Sequence, residues 1–243
     1  MPTLPVTPAE LAVALALVVV GSVIQGSIGF GLAVVAAPIL LLLDPVFVPG
    51  PMLLAASLLV ILIALRERRD VIAQDIALAT IGRVIGTVPA AYAIGTLPRN
   101  VYELLFAGLV TLAVILSMAG WHLRRTPPNI LLAAIVSGVA GTVSSIGGPP
   151  LALVYQHEAG PKIRGTLSAI FTIGTVVSIT GLWWAGHFGV VELMLGILMM
   201  PGVILGFCLS RYTAGRLDQA HTRPAVLAIS TVSALAIVLR AWW

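Results

Sequence analysis

Charge is what this sequence has least of. Only 9% of its 243 residues are Asp, Glu, Lys or Arg, against 59% hydrophobic residues. A soluble domain carries about 25% charged residues. Such a chain cannot cover a water-facing surface, and its mean hydropathy of +1.10 makes lipid its main solvent. Its single cysteine, Cys208, excludes an intrachain disulfide and a multi-cysteine metal site. No Lys or Arg precedes the first apolar run, so MPTLPVTPAE is expected to stay on the protein rather than leave as a signal peptide. No glycine-lysine phosphate loop occurs, so an energy source must be an ion or substrate gradient. There is no pair of membrane-embedded aspartates, no His-Glu metal motif, and no serine with a base at its depth. The expectation is a protein that is not an enzyme and uses no cofactor and no metal. The pI near 9.8 comes from bases in short loops, a pattern of membrane orientation rather than of nucleic-acid binding.

What is present is a series of apolar runs, at about 11–43, 50–65, 71–94, 101–121, 129–156, 165–184, 190–209 and 224–243. Two of them do not fit a simple crossing. The run 11–43 has 33 residues without a formal charge. As one helix it would be about 50 Å long, against a hydrocarbon core of about 30 Å, and two full crossings would need about 40 residues. The run 129–156, with 28 residues, has the same difficulty. Each contains a break, GSIGFG at 26–31 and SSIGGPP at 144–150. A hairpin that enters, turns inside the membrane and returns accounts for both, provided protein or a water-filled cavity satisfies the turning backbone.

The basic residues support this. If all eight runs cross once, the loop and terminal cations divide six against six. If both long runs return to their own side and the N-terminus is outside, Arg66, Arg68, Arg69, Arg124, Arg125, Lys162, Arg164, Arg211, Arg216 and Arg223 become cytoplasmic. Only Arg99 and Arg240 then lie outside, as the positive-inside rule favours. The reading is an all-α integral membrane protein of two inverted-topology repeats, each a broken or re-entrant helical hairpin followed by three transmembrane helices. The first repeat spans 1–121 and the second 122–243, in one transmembrane domain. Internal similarity agrees in part. Ile28-Gly29 aligns with Ile146-Gly147, and Gly82, Gly86, Gly95 and Leu97 recur at the same spacing as Gly202, Gly206, Gly215 and Leu217.

The segments GSVIQGSIGFGLAVVAAPIL and SGVAGTVSSIGGPPLALVYQ resemble the paired glycine-rich segments of the sulfite exporter TauE/SafE family, also called the toluene sulfonate uptake permeases. The stretch GPKIRGTLSAIF resembles the family's Arg-Gly-Thr-Leu start of the next helix. The family carries more consecutive glycines in each break; here Phe30 interrupts the first and Pro149-Pro150 replace part of the second. The resemblance implies movement of small sulfur-containing or carbon-containing anions across a cell membrane.

The breaks suggest how. A helix start presents unpaired N–H groups and a partial positive charge, and glycine lets an anion reach the backbone. Two starts near the midplane would bind an anion without fixed charge. The expected substrate-binding residues are Gln25, Gly26, Ser27, Gly29 and Gly31 from the first break. Thr142, Ser144, Ser145, Gly147, Gly148, Pro149 and Pro150 come from the second, with Gln156 a weaker candidate at its end. The plainer reading is that small residues let helices pack closely. Arg83 stands near the centre of 71–94, where a charge costs at least about 2.5 kcal/mol. Its fork suits sulfonate or carboxylate oxygens, or it holds backbone carbonyls as a structural residue. The aligned residue in the second half is Val203.

The RERRD run at 66–70 is expected to anchor topology, and His122, His157, Glu158, His187 and His221 to sit in loops. Trp121, Trp183, Trp184, Trp242 and Trp243 lie at run ends, as interfacial aromatics should. The expected function is alternating-access transport of a small anion in the inner (plasma) membrane. The alternatives are an anion channel of the same build and a non-transporting assembly subunit. The expected partners are the anion and the lipid bilayer, with a homodimer left open.

Overall fold

The computed structural model describes residues 5–118 and 123–214. The expected helix 224–243, Trp121, Trp242, Trp243, His122, His221, Arg216, Arg223 and Arg240 lie outside the described residues. So do Gly215 and Leu217 of the internal alignment.

The described chain is all helical. In order it forms α1 (Pro8–Ile28), α2 (Leu32–Leu43), a short 3-10 turn (Pro45–Phe47), α3 (Gly50–Arg66), α4 (Ala73–Thr96), α5 (Arg99–Met118), α6 (Pro127–Ser144), α7 (Gly148–Tyr155), α8 (Gly160–Trp184) and α9 (Val190–Thr213). Six of the described helical segments are long and apolar enough to cross a membrane. With so few charges, an amphipathic stripe cannot define their faces; large hydrophobics such as Val88, Tyr92, Trp184 and Val176 stay outward, as lipid permits.

Local chemistry sets the ends. Thr7 and Glu10 close a capping box on α1, the Thr7 N–H donating to Glu10 Oε2 at 2.7 Å and the Glu10 N–H to Thr7 Oγ1 at 3.2 Å. α8 starts at Gly160, five residues before the apolar run, because Pro161 favours a first helical turn and Lys162 and Arg164 do not stop one.

Both long runs fold as broken hairpins. α1 ends at Gly29 (φ 100°) and α2 begins after Gly31 (φ 135°), conformations open mainly to glycine. α6 ends at Ser145, which adopts φ 63° without being glycine. The limbs are unequal. α1 has 21 residues and α6 18, enough to reach nearly across the hydrocarbon core. α2 has 12 and α7 only 8, about 18 and 12 Å, so neither crosses.

The packing fixes directions. Gly202 of α9 abuts Leu15 of α1, Gly206 abuts Val19 and Ser22, and Gly26 abuts Ser210, so α1 and α9 run the same way. Gly82 of α4 abuts Leu131 and Ala134 of α6, and Gly86 abuts Ile135 and Val139, so α4 and α6 also run the same way. In each pair, glycines four apart let one backbone meet the carbonyls of the other. α3 runs beside α9, from Gly50 against Glu192 to Arg66 against Ser210. The first hairpin returns toward the Glu192 end, where Pro45 and Val46 share a cavity with Glu192. The second returns toward the opposite end, where Tyr155 meets Asp75.

Candidate functional site

The two breaks reach past one another. Ser27, before the first, lies beside Thr213 and Arg164 at the Arg66 end. Ser145, in the second, donates to the Pro49 carbonyl toward the Glu192 end at 3.2 Å. Between these levels they touch, Phe30 packing on Gly148. Around that contact is a small cavity of about 40 Å³, room for a few waters. Its lining includes Gln25, Phe30 and Gly31 from the first break, Ser145, Gly147 and Gly148 from the second, and Arg83 from α4.

Arg83 is 2% exposed. Its Nη1 donates to Ser137 Oγ at 2.8 Å, and Ser137 Oγ donates to the Gly147 carbonyl at 2.6 Å. A serine thus ties the guanidinium to the second break. The Cζ atom lies 5.3 Å from the centroid of the Phe171 ring, a cation–π distance. Among the described residues no carboxylate pairs with Arg83, and its Nε has no hydrogen-bond partner. Glycines make the space: Gly141 and Gly147 border the terminal nitrogens, and a Cβ on Gly174 would collide with Nε. Arg83 is thus a desolvated guanidinium with an unused Nε donor, on a cavity whose lining is mostly apolar.

Six of the expected site residues line the cavity: Gln25, Gly31, Arg83, Ser145, Gly147 and Gly148. The others do other things. Gly26 packs on Ser210 and gives its carbonyl to Arg66. Ser27 donates to the Val23 carbonyl at 2.7 Å, and Gly29 lies on the Arg164 backbone. Thr142 bonds the Gly138 carbonyl, Thr87 and Ser178. Ser144 donates to the Ala140 carbonyl at 2.7 Å. Gln156 closes the far end of α7. Even Gln25 uses its side-chain oxygen locally, accepting the Leu32 N–H at 3.0 Å. That carboxamide caps the start of α2, where a bound anion was expected to act. Pro149 and Pro150 occupy the first turn of α7 and carry no N–H, so this start offers an anion fewer amides than the sequence argument supposed.

Ser137, Gly141, Phe171, Gly174 and Thr175 complete the site and were not expected. Ser137 is 54 positions from Arg83, and nothing in the local sequence signals that bond. Phe30 was visible only as an interruption of the glycine pattern.

Two ionic clusters lie at the Arg66 end of the bundle. One joins Arg66, Glu67 and Arg164. In the other, Arg125 and Tyr155 both donate to Asp75 Oδ2 at 3.0 Å, and Glu158 pairs with Arg125 and Lys162. The hydrogen bond to Asp75 holds the Arg125 guanidinium above its ordinary range. At the other end a cavity of about 360 Å³ holds His187, Glu192 and Tyr102.

A family model described as Sulfite exporter TauE/SafE matches residues 13–237, nearly the whole chain. The chain belongs to the sulfite exporter TauE/SafE family. No curated protein and no solved structure matches it. The membership makes this a multi-pass membrane protein of a transporter family. Both hairpin breaks and Arg83 fall within the TauE/SafE match.

Proposed function

We propose that this TauE/SafE member is a secondary transporter of a small anion, sulfite or an organosulfonate, in the inner (plasma) membrane. The observation that carries the proposal is Arg83: a buried guanidinium without an acidic partner, on the cavity where both hairpin breaks meet. A structural arginine would be expected to spend its donors on protein groups. This one keeps Nε unused, and a charge at such depth is costly. An anion would neutralise it during passage and leave again, because no second fixed cation adjoins it in the lining.

Alternating access between inverted halves is the motion that fits. The support is the mirrored pairing: α4 runs along α6 as α9 runs along α1, through glycines at equivalent places. In that reading α1 corresponds to α6, α2 to α7, α3 to α8 and α4 to α9. The direct test is uptake into proteoliposomes of labelled sulfite, methanesulfonate and acetate. Saturable uptake driven by an opposing anion gradient supports the proposal. Absence of uptake and of counterflow for all three removes it.

Two further outcomes are expected. The methyl of Gly174→Ala meets the flexible end of Arg83 rather than a backbone. It should shift the guanidinium, raising the half-saturation concentration about tenfold, while the thermal midpoint in detergent changes little. For orientation, Lys162→Cys in a Cys208→Ser background should react with an impermeant thiol reagent from the cytoplasmic side only. Lys162 is half exposed at the start of α8, so access is not limiting. Reaction only from outside would reverse the proposed topology.

A further inference from the structure

One charged cluster is built unlike a topological anchor. Three guanidinium nitrogens converge on a single oxygen, Glu67 Oε1: Arg66 Nε, Arg164 Nε and Arg164 Nη2, each at 3.0 Å. The side chains of Glu67 and Arg164 are each 12% exposed. Two cations therefore share one anion in a largely desolvated place, leaving an excess positive charge. Of the other donors, Arg66 Nη2 reaches the Gly26 carbonyl and Arg164 Nη1 the Ser27 carbonyl at 3.4 Å, both at the end of α1, while Arg66 Nη1 donates to Ser210 Oγ of α9 at 3.1 Å. Gly26 and Ser27 directly follow Gln25, which lines the cavity, and Gly29 rests on the Arg164 backbone. The cluster thus holds the end of the helix whose Gln25 lines the cavity.

We propose that the Arg66–Arg164 pair is a second oxyanion site on the route, occupied by Glu67 as a tethered stand-in. A small sulfonate or carboxylate arriving from the cavity takes the place of the Glu67 carboxylate. Glu67 then swings away, and the ion pair that ties Arg164 of α8 to the end of α3 is lost. The forked guanidinium of Arg164, whose Nε and Nη2 already share one carboxylate oxygen, suits such an exchange. The role on the route rests on the transport reading; the anion site itself is testable without it.

The experiment places a cysteine at Ser27 in the full-length Cys208→Ser protein in proteoliposomes. Labelling rates are compared for a negative reagent, ethylsulfonate methanethiosulfonate, and the positive trimethylammonium analogue. With Glu67 present both should be slow. In Glu67→Gln the negative reagent should gain about tenfold over the positive one, and methanesulfonate should slow it by competition. In Glu67→Gln combined with Arg164→Gln the preference should vanish while access remains. Should Glu67→Gln fail to purify as a folded species, Glu67→Asp withdraws the carboxylate by one methylene and should give the same contrast at smaller size. Equal gains for both reagents, or no gain, with methanesulfonate without effect, would reduce the cluster to a helix lock and overturn the inference. The two readings fail separately. Uptake by the parent protein with charge-blind labelling sinks this site alone. Charge-selective labelling without uptake sinks the transport reading and leaves an anion-binding site.

Discussion

Arg83→Gln should abolish saturable sulfite uptake, or raise its half-saturation concentration by about 100-fold or more, in a protein that still purifies as a folded species. Removing one partner of a desolvated charge pair costs about 2–5 kcal/mol, and each 1.4 kcal/mol is tenfold. Glutamine keeps a donor near Ser137 and removes the charge. The stability expectation runs the opposite way. A buried cation without a fixed counter-ion is a burden on the empty protein, so Arg83→Gln should leave the thermal midpoint unchanged or raise it. A structural arginine predicts the reverse pattern, intact half-saturation and lost stability. Arg83→Lys separates charge from shape. The ammonium keeps the charge but not the fork that reaches Ser137 and the cavity together, so it should fall between the two. Proteoliposome kinetics and heating followed by size exclusion read both axes.

Gly86→Ala and Gly206→Ala form the second expectation, and they are expected to behave as a pair. A methyl on Gly86 meets the Ile135 carbonyl, and one on Gly206 meets the Val19 carbonyl and Ser22. Backbone carbonyls cannot turn aside as the end of Arg83 can, so the helices must separate. Overpacking of this kind costs about 1–3 kcal/mol, and in a membrane the loss falls on close packing that lipid does not replace. Both variants should lower the thermal midpoint by similar amounts, with substrate affinity in the surviving protein little changed. Gly108→Ala is the control, because nothing lies within 4 Å of the added methyl. A large effect at one glycine and none at the other would count against the two helix pairs being structural counterparts.

Much of the architecture was legible because lipid simplifies the problem. Run lengths against bilayer thickness located both hairpins, since 33 and 28 uncharged residues suit neither one crossing nor two. Gly29 and Gly31 were legible as a break because their backbone angles exclude most other residues. Arg83 stood out because a buried charge is rare. Limb lengths were not legible, since nothing in an apolar run marks where α1 ends and α2 starts except the break itself. The local bonds of the hydroxyls were not legible for a related reason. Ser27, Thr142 and Ser144 had the right chemistry at the right distance along the chain, but in a helix such groups find a carbonyl one turn back. Ser137 and Gly174 were invisible because their roles come from tertiary neighbours. The RERRD run hid two meanings: Arg66 and Glu67 turn inward to hold α1, whereas Arg68, Arg69 and Asp70 are exposed.

On the proposed pairing of inverted halves, Arg83 also makes the two membrane faces unequal. Val203, buried in α9, is the residue that the alignment of the two halves sets against Arg83. If the halves exchange postures during a cycle, the charged half and the neutral half trade places around the same solute. The solute then meets a different electrostatic landscape from each compartment. Gradients alone still decide net flow, but half-saturation measured from one compartment need not equal that measured from the other. If the proposed symmetry of the halves holds, the protein would thus behave as a one-handed carrier.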